Sequence, residues 1–329
     1  MRAFVFPGQG IQKRGMGRGL FEQFPDVCRQ ADDVLGYSVE ELCRDNPDRR
    51  LSRTEYAQPA IYVINALHHL AASREGAPAA DYLAGHSLGE YNALFAAGAF
   101  DFVTGLVLVR RRAELMGRCG GGGMAAVVGV SQRVIEETLA AHGAAGVVIA
   151  NHNAPEQFVL AGRTEELDRL KPVFEGTAGV RGFVPLRVGG AFHSPLMEPA
   201  AEAFRTVLDS VSFTELRTPV VANVTGLPYA SGEDAVRAVL AAQVTRPVRW
   251  ADGIRYLRDA GVTDFVEPGG SKVLTSLVGK ILAEDPRDAP WREYRDERIS
   301  ALLRDCADGK LTIDRIVETI HAGGPPVEH

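Results

Sequence analysis

Gly85-His86-Ser87-Leu88-Gly89 sets a serine in a G-x-S-x-G pattern. Such a pattern makes a nucleophile elbow when a strand runs into it and a helix leaves it. The flanking residues supply that setting, because 81–84 (Asp-Tyr-Leu-Ala) read as a short strand and Leu88 to Ala97 as a helix. The requirement is steric: a serine on a strained tight turn needs neighbours without bulk. Glycine at 85 and 89 lets strand and helix approach, and the hydroxyl then stands at a helix N-terminus. The Leu88 amide beside it is placed to stabilise an oxyanion. The bland alternative is a serine that only caps a helix.

A serine nucleophile needs a base from elsewhere in the chain. Of the eight histidines, His68 and His69 fall inside a helical pattern, His142 ends another, and His321 and His329 lie near the last residue. His86 adjoins the serine, so its side chain is expected to project away. His152 and His193 remain. His193 sits in Gly189-Gly190-Ala191-Phe192-His193-Ser194-Pro195, a composition that suits a tight loop reaching into a cleft. An imidazole there would take the serine proton and later return it to a leaving group, a contribution of about 10²–10⁴ in rate. A satisfied buried histidine is the competing reading.

Arg110, Arg111 and Arg112 are consecutive in a predicted helix over 101–117. A charge run is ordinarily a solvated face, but the spacing separates these three. Glu114 stands four residues after Arg110 and three after Arg111, the distances at which helical side chains pair. Arg112 has Leu108, Val109, Leu115 and Met116 at the corresponding positions. It therefore lacks a helical counter-ion and is expected to lie against apolar neighbours, where a guanidinium favours a planar carboxylate.

The elements that would position these groups alternate. A strand over 3–6 ends at Pro7-Gly8-Gln9-Gly10. Helical patterns follow at 17–35, 38–45 and 57–73, then the strand and helix of the elbow. Strand, helix, strand, helix implies a parallel sheet with helices on its faces. Gly120 to Gly123 read as a flexible hinge. A phosphate loop would need Lys-Ser or Lys-Thr where Met124 stands. Beyond the hinge come strand 124–130, helix 131–142, strands 147–152 and 157–161 joined by 153–156, helix 163–175 and strand 180–188. That β-α-β-β-α-β order is ferredoxin-like. The larger pattern then resumes with a strand at 219–223, helices at 232–243 and 250–260, a strand at 263–266 and a helix at 273–283. The fold class read from this order is α/β, a parallel-sheet body with an inserted ferredoxin-like small subdomain. Its expected boundaries are 1–120 and 189–283 for the body and 121–188 for the insert. Residues 284–329 are expected to be a linker and a helical extension, with 297–307 and 312–321 reading as short helices.

Composition removes several classes. The 329 residues are 46% hydrophobic and 24% charged, ordinary for a soluble globular protein, and 36 Lys and Arg against 42 Asp and Glu give a formal charge of −6. That balance argues against a general nucleic-acid binder. No apolar stretch approaches a membrane span, and the N-terminal apolar run stops at Pro7, too short for a signal peptide. Four cysteines without a CxxC pair argue against a zinc site or disulfide framework, so no metal is expected and a reducing cytoplasm fits.

Four segments in order carry a resemblance: Phe6-Pro7-Gly8-Gln9-Gly10, Gly85-His86-Ser87-Leu88-Gly89-Glu90, Ala191-Phe192-His193-Ser194 and Val266-Glu267-Pro268-Gly269-Gly270. Over roughly residues 1–283 the chain resembles the malonyl-CoA:acyl-carrier-protein transacylases of fatty-acid and polyketide synthesis. That family's fold is a hydrolase-like α/β body with an inserted ferredoxin-like subdomain. The resemblance implies Ser87 as nucleophile, His193 as its base, and the backbone amides of Gln9 and Leu88 as the oxyanion hole. It implies that the backbone carbonyl of Gln243 orients His193 in place of a carboxylate, that Arg112 holds the substrate carboxylate, and that His86 and Asn153 line the site. Ala191-Phe192-His193-Ser194 is similar to the signature for malonyl over methylmalonyl, with Phe192 crowding an α-methyl, a discrimination of about 1–3 kcal/mol. The sequence departs from the family at Pro268-Gly269-Gly270-Ser271, where relatives often have Val-Gly-Pro-Gly, and at Gly189-Gly190. Both departures bear on loop stiffness.

The implied partners are a coenzyme A thioester, malonyl-CoA, as substrate, and an acyl carrier protein with its phosphopantetheine arm, with no bound cofactor, no nucleic acid and no membrane. The tail and the Ala191–Ser194 signature lean toward a discrete, trans-acting polyketide-synthase enzyme. A housekeeping fatty-acid enzyme, a hydrolase of carrier-bound acyl groups and a non-catalytic carrier-docking protein are the alternatives.

Overall fold

Strand β1 (Arg2–Phe6) is buried on both faces, with alternate side chains entering different cores. Phe4 and Phe6 join one cluster, Ala3 and Val5 another. A strand covered on both sides belongs in the middle of a parallel sheet. In the computed structural model, which describes residues 1–284, β1 pairs in parallel with β2 (Tyr82–Gly85) and β8 (Asp264–Val266), and β2 with β7 (Val220–Val221). The sheet order is β7-β2-β1-β8.

Helices α1 (Pro25–Leu35), α2 (Val39–Asp45), α3 (Thr54–Arg74), α4 (Gly89–Ala97) and α5 (Phe102–Arg118) pack on the Phe4–Phe6 side. Asp101 caps α5, its side chain accepting from the Thr104 amide at 2.7 Å. That cap fixes where the helix starts and hence which face of it carries Arg112 inward.

The second sheet is antiparallel. It comprises β3 (Gly122–Val128), β4 (Val148–Ala154), β5 (Gln157–Arg163) and β6 (Gly182–Pro185), in the order β4-β5-β3-β6. Helices α6 (Gln132–Ala141) and α7 (Thr164–Gly176) cover one face, placing Ile135, Leu139, Leu170 and Phe174 against Val127, Phe158 and Leu160. This is the ferredoxin-like order. The two sheets meet where β4 runs alongside Val248: the His152 amide donates to the Val248 carbonyl at 2.9 Å, and the Val248 amide to the Ala150 carbonyl at 2.8 Å. On the far side of β1, α10 (Trp250–Asp259) and α11 (Val273–Leu282) pack through Ile254, Leu257, Leu277 and Ile281, whereas α9 (Glu233–Gln243) joins the Phe4–Phe6 cluster through Val236 and Leu240.

Several expectations need correction. No helix begins at residue 17: Gly15, Gly17 and Gly19 all have positive φ, so turns fill 15–20 and α1 starts at Pro25. The four glycines are not all hinge, because Gly122 and Gly123 are strand residues opposite Arg163 and Gly162. A Cβ on Gly122 would fall 2.7 Å from the Ala191 Cβ, so glycine there lets the His193 loop lie against the small sheet. Asn153 and Ala154 belong to β4 rather than to the connection after it. The strand expected at 219–223 is only Val220–Val221, and that expected at 180–188 is Gly182–Pro185. Helix α8 (Glu198–Asp209), between β6 and β7, escaped the reading of the sequence, although Ala201, Phe204 and Leu208 form its buried stripe. The linker and helices expected over 284–329 lie outside the described residues beyond Glu284.

Candidate active site

The Phe6↔Gly85 register brings the ends of β1 and β2 together, and the turn after β2 carries Ser87. Its φ is +51°, the left-handed region that a residue with a Cβ occupies at a cost of about 1–3 kcal/mol. The neighbours explain why only glycine serves at 85 and 89. A Cβ on Gly85 would lie 2.0 Å from the Gly89 carbonyl, and one on Gly89 would lie 2.0 Å from the Phe6 carbonyl oxygen. The strain is held by Asn223, just beyond β7. Its Oδ1 accepts from the Ser87 amide at 2.6 Å, and its Nδ2 donates to the Gly85 carbonyl at 2.6 Å.

His193 has φ of +58°, so both ends of the central contact sit on left-handed backbone. Its Nε2 lies 2.7 Å from Ser87 Oγ, and its Nδ1 lies 2.8 Å from the backbone carbonyl oxygen of Gln243. A carbonyl only accepts, so Nδ1 carries the proton and Nε2 offers its lone pair to the serine hydroxyl. The loop is pinned by Ser194, whose hydroxyl donates to the Ala191 carbonyl at 2.6 Å and accepts from the Leu196 amide. Burial, reinforced by the charge on Arg112, pushes the His193 pKa down to about 3, so the imidazole is neutral at rest with its Nε2 lone pair free to accept a proton.

The other candidate base is elsewhere. His152 stacks on Phe158 at 4.5 Å with Nδ1 4.0 Å from Asp252, away from the serine. His86 turns from Ser87, pairing through Nε2 with Asn153 Oδ1 at 2.8 Å and packing on Trp250.

The three arginines separate. Glu114 takes Arg110 at 2.9 Å and Arg111 at 2.6 Å. Arg112 is 1% exposed and reaches the serine, its Nη2 donating to Ser87 Oγ at 3.2 Å. The expectation of apolar surroundings is corrected, because the guanidinium is held by neutral amides. Nη1 donates to Gln58 Oε1 at 2.7 Å and Nη2 to Gln243 Oε1 at 3.1 Å, and the Tyr91 ring lies 5.5 Å away. Among the described residues none of its hydrogen-bond acceptors is a carboxylate. A buried cation whose direct acceptors are all neutral oxygens attracts an anion, and Glu90, which acts on it electrostatically, makes no hydrogen bond to it.

Pro7-Gly8-Gln9 packs on the elbow so closely that a Cβ on Gly8 would lie 2.3 Å from the His86 carbonyl oxygen and 3.5 Å from the Leu88 nitrogen. This contact puts the Gln9 and Leu88 backbones on one wall. Beside it opens a cleft of about 580 Å³ lined by Gln9, His86, Asn153, Gln157, Lys272 and Lys280. Phe192 is 6% exposed, in the main core with Met197.

Comparison with known proteins shows the family. The acyl transferase domain family matches residues 3–324. The chain belongs to that family. It is 49% identical over 284 residues to the polyketide biosynthesis malonyl CoA-acyl carrier protein transacylase BaeC of Bacillus velezensis, covering 86% of this chain and 98% of that one. The crystal structure of a malonyl CoA-acyl carrier protein transacylase from Burkholderia pseudomallei matches with a TM-score of 0.82 at 46% identity, over 88% of this chain and 99% of that one. A type II PKS acyl-carrier protein complexed with its malonyl-transacylase matches with a TM-score of 0.81 at 34% identity, over 85% and 93% of the two chains.

Three residues that shape the site of this acyl transferase escaped the sequence reading. Asn223 holds the elbow and Gln58 holds Arg112. The third, Glu90, is fully buried and accepts from Tyr229 Oη at 2.5 Å, Gln243 Nε2 at 2.5 Å and the Asn223 amide at 3.3 Å. Burial raises its pKa to about 7 against the pull of those donors and of Arg112. Glu90 alone had a local signal, an acidic residue directly after the elbow in an apolar helix. Asn223 follows a two-residue strand, and nothing near it in sequence points to Ser87.

Proposed function

We propose that the chain transfers a malonyl group from malonyl-CoA to the phosphopantetheine thiol of an acyl carrier protein through a serine ester. The observation that carries this reading is one hydroxyl shared by a base and a cation: Ser87 Oγ lies 2.7 Å from His193 Nε2 and 3.2 Å from Arg112 Nη2. A base beside the hydroxyl supports acyl transfer in general. The buried guanidinium beside it supports an acyl group with a free carboxylate.

In the first half-reaction Ser87 Oγ attacks the thioester carbonyl as His193 Nε2 takes its proton. The tetrahedral oxyanion is held by the Gln9 and Leu88 amides. The C–S bond then breaks, and the imidazolium returns the proton to the departing coenzyme A sulfur. The malonyl ester keeps its carboxylate on Arg112. In the second half-reaction the carrier thiol gives its proton to His193 and attacks the ester, and Ser87 leaves with that proton. Gln243 keeps the imidazole in the working tautomer throughout. Each step uses groups of this chain and the two thiols, so the reading invokes no resident cofactor. The relatedness to BaeC supports polyketide assembly as the setting. The cysteine pattern supports the cytoplasm, and among the described residues no helix is long and apolar enough to cross a membrane.

Intact-mass detection tests this. Malonyl-CoA should load one malonyl on Ser87 and pass it to a carrier protein, with Ser87→Ala losing at least about 10³-fold in rate. Arg112→Ala should lower the malonyl-over-acetyl preference by about 10²-fold or more. A malonyl adduct that only hydrolyses would point to the acyl hydrolase instead.

A further inference from the structure

Gln243 touches three residues the proposed chemistry uses, Ser87, His193 and Arg112. Its backbone carbonyl accepts from His193 Nδ1, its Nε2 donates to the Ser87 carbonyl at 3.0 Å and to Glu90 Oε2 at 2.5 Å, and its Oε1 accepts from Arg112 Nη2 at 3.1 Å. The amide thus lies between a carboxylate and a guanidinium. A carboxylate only accepts and a guanidinium only donates. One orientation satisfies both. Reversed, the amide would set oxygen against the Glu90 oxygen and an NH2 group against the guanidinium, two repulsive contacts in a site closed to water.

Glu90 is itself fixed. Its second oxygen takes the Tyr229 hydroxyl and the Asn223 amide, and the same Asn223 holds the Ser87 amide. All three donors are satisfied by a carboxylate that makes no direct hydrogen bond to Arg112. Structural support alone would not require an acid here, because a neutral amide of the same shape would fill the space. What the acid adds is direction.

We infer that Glu90 is a positioning residue for substrate selection: by accepting from Gln243 Nε2 it turns Gln243 Oε1 toward Arg112 and so aims the guanidinium at the carboxylate of the acyl group. The inference rests on the reading of Arg112 as the carboxylate holder. It assigns Glu90 no contact with substrate and no proton in either half-reaction. A Gln at position 90 presents an NH2 as readily as an oxygen, so the Gln243 amide loses its imposed orientation and Arg112 its second acceptor.

The test compares KM and kcat for serine acylation by malonyl-CoA and by acetyl-CoA. Glu90→Gln should raise the malonyl-CoA KM about tenfold, the size of effect expected for one hydrogen bond to a charged group. It should change kcat for acetyl-CoA less than threefold and lower the malonyl-over-acetyl ratio about tenfold. Gln243→Met keeps the backbone carbonyl and removes the amide, and should lower the ratio equally. It decides the matter alone if Glu90→Gln does not fold. In an Arg112→Ala background neither change should lower the ratio further. A ratio unchanged in Gln243→Met, or a Glu90→Gln loss as large without Arg112 as with it, overturns the inference while leaving the role of Arg112 intact. An Arg112→Ala enzyme that keeps the wild-type ratio overturns both.

Discussion

The two sheets contribute to the site in opposite ways. The parallel sheet supplies turns at its strand ends, of which the Ser87 turn is strained. Gly8 and Gln9 follow β1, Ser87 follows β2 and Asn223 follows β7, and all converge within a few ångströms. The antiparallel sheet has a well-packed core of its own and lends the site side chains from one strand, chiefly Asn153 on His86. Parallel strands must all end on the same side, which gathers their loops at one place. Antiparallel strands scatter theirs. One sheet is therefore bound tightly to chemistry and the other leaves more room for change.

Glycine substitutions give the sharpest contrast. Gly85→Ala sets a Cβ 2.0 Å from the Gly89 backbone, so it should destabilise the fold by more than about 3 kcal/mol and abolish serine loading. Gly123→Ala, in the antiparallel sheet, meets nothing closer than 3.5 Å and should change stability by less than about 1 kcal/mol. Thermal melts of the two variants would break the comparison if the costs were equal.

The asparagines sharpen it. Asn223→Ala frees the Ser87 amide and the Gly85 carbonyl, and should lower acylation kcat/KM by about 10–100-fold. Asn153→Ala removes only the His86 partner and should cost less than about tenfold. Stopped-flow loading measures both.

Titration separates the regions next. The His193 pKa of about 3 means that acylation by acetyl-CoA, which does not draw on Glu90 or Arg112, stays flat from pH 8 down to about 5, and an acid limb near 6.5 would contradict the burial argument. Glu90 titrates the other way. Its native pKa, near 7, lies above the ordinary 4.5, so between those values the native form binds a proton that the unfolded chain does not. Stability from this group is greatest below about 4.5 and falls as pH rises to about 7. Glu90→Gln lacks that slope and should gain on wild type by roughly 1–3 kcal/mol between pH 5 and 8 in chemical denaturation. His193 and His152 are present in both proteins and largely cancel in the difference.

The sequence made the elbow legible because its geometry is local. Four residues decide whether a strand can turn into a helix around a serine, and those residues are adjacent. The split of Arg110 and Arg111 from Arg112 was legible for the same reason, since helical spacing alone assigns Glu114 its partners. The choice between His152 and His193 was open from spacing, and depends on a contact across 106 residues. Asn223, Gln58 and the Gln243 side chain carry no local mark, because an amide becomes functional only through what stands opposite it. Gly122 was misread as hinge because a glycine that admits a neighbour looks, in one dimension, like a glycine that bends.

The join between the sheets has a mechanical consequence. Val248, which bridges to Asn151 of β4, lies on the same short segment as Gln243, whose carbonyl steadies the imidazole. The carbonyl that orients the base therefore stands five residues of backbone from the seam between the sheets, so the setting of the small sheet and the aim of the imidazole are linked covalently.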